Sequence, residues 1–150
     1  MNKEEIENLK NRVARDEEKI NIHVPYSEVL SRRADFEVEY VLDIAEELKG
    51  VRPAQGMRCD FMYEEDDKNG GTVYMIWPEL MDDNNQVILD KRVAPAQSGK
   101  ATMWILRHEA REDVHRNRIK IGVKGYWVVG SYRLARVMVT KILGLFENGE

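Results

Sequence analysis

The chain has 150 residues, 43% hydrophobic and 33% charged, with a formal net charge of −4. That length fits one domain able to bury roughly two-thirds of its unfolded surface, and the composition is neither disordered nor fibrous. The single cysteine, Cys59, excludes an intramolecular disulfide and a multi-thiolate metal site, and a net negative charge argues against a generalist nucleic-acid binder.

The start, Met-Asn-Lys-Glu-Glu-Ile-Glu, has charges where a secretory signal needs an apolar run. No apolar run approaches the ~20 residues of a membrane span. The expected setting is therefore the cytoplasm, with no membrane partner and no cofactor.

Residues 3–20 read as a highly charged helix. Asn2 caps it with Glu5 in a capping box, and Ile6, Leu9, Val13 and Ile20 form an apolar stripe. Residues 35–49 read as a second helix, with Phe36, Tyr40, Val41, Ile44, Ala45 and Leu48 on one face and Gly50 ending it. Phe36, Val38, Tyr40 and Leu42 also alternate as a strand would; the downstream pattern favours helix, which residues 27–33 extend N-terminally.

From residue 57 the period changes. Met57–Glu64 and Thr72–Trp77 flank a polar loop and read as a hairpin, with Pro78 ending its second strand. Strands are also expected over 87–93, 101–107, 118–123 and 126–129. Residues 132–146 place Leu134, Ala135, Met138, Val139, Ile142, Leu143, Leu145 and Phe146 on one helical half, predicting a closing amphipathic helix. The expected fold is a single α+β domain: two N-terminal helices, an antiparallel meander of about five to six strands, and a C-terminal helix packed on the sheet.

One feature rises above this background. Between Val114 and Phe146 there are seven Lys or Arg residues and no Asp or Glu, whereas residues 1–113 carry 16 basic and 25 acidic side chains. Such asymmetry implies a partner of complementary charge or internal pairing of opposite faces. The candidate contact residues are Arg116, Arg118, Lys120, Lys124, Arg133 and Arg136, with Tyr126 or Trp127 as a stacking surface. An acidic helix around Glu4, Glu5, Asp16, Glu17 and Glu18 supplies the opposing surface. The alternative is that these cations pair with acids on neighbouring elements.

Other motifs are weaker. On a helix, His108, Glu112 and His115 share a face at i, i+4 and i+7, a possible metal set, although Arg107, Arg111 and Arg116 crowd it with positive charge. Glu64–Asp67 and Asp82–Asn85 lack the spacing of a calcium loop and read as solvated turns. Ser98-Gly99-Lys100-Ala101 lacks the residues of a phosphate-binding loop. Cys59 reads as a packed thiol, and Trp77, Trp104 and Trp127 as core.

The expected function is a non-enzymatic interaction protein that binds another protein, itself included as a homo-oligomer, through the polarised surface. Two alternatives are a nucleic-acid-binding protein using the basic 116–136 patch, and a metal-dependent enzyme using His108, Glu112 and His115.

Overall fold

The computed structural model describes residues 2–14, 21–69 and 71–149. Helix α1 (Lys3–Ala14) and the short α2 (Tyr26–Leu30) precede β1 (Phe36–Leu42), β2 (Asp60–Tyr63), β3 (Ile76–Leu80) and β4 (Ser98–Ile105). A helical excursion follows, made of α3 (His108–Ala110), a wide turn at Arg111–His115 and α4 (Arg116–Arg118). β5 (Lys124–Val129) and β6 (Tyr132–Ile142) complete an antiparallel six-stranded sheet in the order β2-β5-β6-β1-β4-β3.

The sheet curls until its two edges meet. The Phe61 amide donates to the Tyr74 carbonyl at 2.9 Å and the Tyr74 amide to the Phe61 carbonyl at 2.8 Å, which bridges β2 to the chain entering β3. On the outer side of β3, Gln55 acts as a substitute strand: its Nε2 donates to the Leu80 and Ile88 carbonyls, each at 2.9 Å, and its Oε1 accepts from the Leu80 amide at 2.8 Å. Phe36, Val38, Tyr40, Phe61, Tyr63, Ile76, Met103, Ile105, Trp127, Val137 and Val139 fill the interior.

The capping box at the start of α1 forms: the Glu5 amide donates to Asn2 Oδ1 at 2.8 Å, and the Asn2 amide to Glu5 Oε1 at 3.1 Å. Residues 15–20 of the expected helix, including Asp16, Glu17, Glu18 and Ile20, lie outside the described residues. The helix expected over 35–49 is instead β1 followed by a single tight turn at Glu46–Leu48. β1 lies between β4 and β6, so ladder bonds on both sides outweigh a helical pattern whose period it can also satisfy as a strand.

The closing helix expected over 132–146 is corrected to β6. Two irregularities disguise it. Against β5, Ala135 pairs with Trp127 and Arg133 with Val128, leaving Leu134 as an extra residue. Against β1, Lys141 pairs with Glu37 and Val139 with Val38, leaving Thr140 extra. Each bulge breaks strict alternation, and the adjacent buried pair Leu134–Ala135 imitates a helical face.

Three smaller corrections follow. Pro78 lies within β3, where it is tolerated because β3 is the last strand in the sheet order. The strand expected over 87–93 reduces to isolated bridges at Val87 and Asp90. Residues 118–123 are also not a strand: Arg118 ends α4, Ile119 is buried, and the chain turns through Lys120–Val123 with Gly122 at φ +95°.

Candidate functional site

Strand register assembles the basic side chains on the sheet's outer face. Lys124 of β5 pairs with Met138 of β6, Met138 with Glu39 of β1, and Glu39 with Lys100 of β4. The adjacent row runs Tyr126, Arg136, Val41 and Ser98. Residues paired across antiparallel strands share a face, so two apolar side chains, Met138 at 37% exposure and Val41 at 38%, lie diagonally adjacent among charges. The turn before β5 carries Lys120 and Ile121, both exposed, the latter to 70%.

The six sequence-predicted residues divide into three groups. Arg116 lies away from this face, binding the C-terminal segment through Nε to the Leu145 carbonyl at 2.9 Å and Nη2 to the Asn148 carbonyl at 2.7 Å. Arg118 grips Asp66 with two bonds of 2.9 and 3.0 Å, and its guanidinium lies 3.8 Å from the Tyr63 ring centroid. Donating these hydrogen bonds to the Asp66 carboxylate raises the Arg118 pKa above its ordinary value.

Arg133 and Arg136 have acidic partners on the surface. Arg133 pairs with Asp67 and lies 4.0 Å from the centroid of the Tyr126 ring, and Arg136 Nε sits 3.6 Å from Asp43 Oδ2. Lys120 and Lys124 are exposed and form no ion pair among the described residues. Tyr126 thus does face the patch, under Arg133, while Trp127 is core, stacked on Tyr40.

Sequence reading missed the acids that answer these cations. Glu64–Asn69 is a tight helical turn, solvated at Glu64 and Glu65, whose Asp66 and Asp67 also hold Arg118 and Arg133. It also missed Met138, Val41 and Lys100, which join the face through register alone; correct pairing of β1 with β6 is the signal that finds them.

The metal trio does not converge. His108 Nε2 lies 3.0 Å from Glu112 Oε2, but His115 turns into the core, where its Nδ1 meets the Tyr63 hydroxyl at 2.7 Å and its ring meets Tyr74 edge-on. The wide turn Arg111–His115 carries more residues per turn than an α-helix and rotates His115 off the shared face. Among the described residues, no three His, Cys, Asp or Glu side chains are placed to hold a metal ion. Burial lowers the His115 pKa to about 4 and raises that of the Cys59 thiol.

Behind His115, a buried polar knot ties four elements together. Asp35 accepts from Arg111 Nε at 2.8 Å, the Ile105 amide at 2.7 Å, Asn148 Nδ2 at 2.9 Å and Arg32 Nη1 at 3.0 Å. Arg111 also donates to His108 Nδ1 at 3.1 Å. No family model matches the chain, and no curated protein matches it in sequence.

Proposed function

We propose that the chain is a non-enzymatic interaction protein whose outer sheet face binds an acidic surface of another protein. One observation carries this reading: Met138 and Val41 are exposed beside Lys124, Arg136 and Lys100 on adjoining strands, with Glu39 in the same row and Lys120 and Ile121 exposed on the turn before β5. Cations steer an acidic partner and set its register, and the apolar side chains supply desolvated contact once it docks. Lys120, Lys124, Arg133 and Arg136 make the contact, while Arg116 and Arg118 support the chain's own structure. A second copy of the chain qualifies as partner, because Glu4, Glu5 and Glu7 are exposed along α1.

The test uses fluorescence anisotropy with a short fluorescein-labelled oligoglutamate peptide, alongside sedimentation velocity of the protein alone, at about 50 mM and about 500 mM salt. Binding or self-association should weaken with salt, and the Lys120→Glu/Lys124→Glu variant should lose at least about tenfold in affinity. Absence of both peptide binding and self-association at low salt would refute the reading. Tighter binding of a random single-stranded oligonucleotide than of the peptide at equal salt would replace it with the nucleic-acid alternative.

A further inference from the structure

We infer that the acidic turn Glu64–Asn69 is an intramolecular cover on the Arg133 end of this face, occupying the position that an acidic partner segment takes when it binds. The inference rests on the proposed role of the face and adds a mode of access to it.

The turn is attached at two points of different strength. Its inner attachment is Asp66, which Arg118 grips with both guanidinium nitrogens while lying over Tyr63. A two-bond arginine–carboxylate fork is the stronger and more directional kind of ion pair. The outer attachment is Asp67 on Arg133, a single ion pair whose side chains are 41% and 43% exposed. Glu64 adds a long contact, 3.5 Å from the Tyr126 hydroxyl.

The outer attachment sits on the candidate face itself. Tyr126, the ring beneath Arg133, pairs across strands with Arg136, and Lys124 lies two residues earlier on the same side of β5. The cover therefore pairs with Arg133 at one end of the face, where Arg136 is already paired with Asp43, and leaves Lys124 open. Its own chemistry states what the site accepts: a carboxylate against a guanidinium that sits over a tyrosine ring. An acidic protein segment presents that same group, and charge complementarity commits the occupant to this class.

Displacement is cheap on this geometry. An exposed ion pair is worth about 1 kcal/mol at most, so a segment with several carboxylates can replace Asp67 on Arg133 while Asp66 remains on Arg118. The turn then swings on its inner attachment without unfolding.

The experiment removes the cover's charge but keeps its anchor. In the full chain, Glu64→Gln with Asp67→Asn should bind the labelled oligoglutamate peptide about fivefold more tightly than the unmodified protein, the factor that about 1 kcal/mol represents. Adding Arg133→Gln should abolish that gain. Unchanged or weaker binding by the double variant, with Lys120→Glu/Lys124→Glu still reducing binding to the unmodified protein, overturns the cover and leaves the proposed face standing. No binding by any variant overturns both.

Should the double variant unfold, hydrogen exchange on the unmodified protein decides. Saturating peptide should accelerate exchange of the amides in residues 64–67, and unchanged or slowed exchange there overturns the inference.

Discussion

Asp35 ties the start of β1 to the end of β4, to the turn that carries Arg111 and to the C-terminal segment. It is fully buried with Arg111 against it, and four donors converge on its carboxylate. Asp35→Ala leaves a buried guanidinium without its counter-charge and should cost about 3–5 kcal/mol, read as a lower midpoint in urea. Its neighbour His115 gives stability a pH dependence of definite sign. Desolvation first, then Arg118 and Arg111, hold its pKa at about 4 against 6.5 ordinarily, with Asp35 opposing them. Between those values the unfolded chain takes a proton that the fold refuses. Stability is therefore intact above about pH 6.5 and falls as pH drops toward 4, by about 3 kcal/mol from this group. Urea titrations at stepped pH check it: His115→Gln should flatten the slope between about pH 6.5 and 5 by one proton. An unchanged slope removes His115 as the cause. None of this knot was legible in the sequence, because Asp35, Arg111 and Asn148 are far apart along the chain and look like ordinary surface residues.

At the scale of elements, legibility followed the length scale of the interaction that decides each segment. The capping box of α1 was readable because Asn2 and Glu5 are three residues apart and bond each other reciprocally. The segment 126–129 was readable as a strand because it is bounded by turns and dense in β-formers. The strands β1 and β6 were not, since their choice between helix and strand is made by partners distant in sequence. The bulges at Leu134 and Thr140 removed the alternation that would have revealed β6. The cations of the candidate site were visible, but their grouping was not, because it depends on β6 being a strand. Gly125 offers a test at this scale. A Cβ there would lie 2.6 Å from the Phe61 ring and 2.7 Å from the Met62 carbonyl, so β2 and β5 approach this closely only over glycine. Gly125→Ala should cost about 1–3 kcal/mol through overpacking, measured by thermal or chemical denaturation.

At the scale of the whole molecule, the C-terminal segment is fastened by side chains from distant parts of the sequence. The C-terminal segment is gripped by Arg116 and Asp35, with Leu145 and Asn148 both buried. A chain ending at Leu143 should lose at least about 3 kcal/mol, from one buried leucine and the polar partners left unpaired; a stability within error of the full chain would show the segment to be an accessory. The bridge between Phe61 and Tyr74, together with Gln55 on the far side of β3, has a consequence for recognition. Backbone groups that would template an added strand already have partners at these positions. Strand addition is the sequence-indifferent route by which sheet proteins join peptides and aggregate. With that route blocked at these points, any protein that docked there would have to read side chains, and its fit would be adjustable one residue at a time.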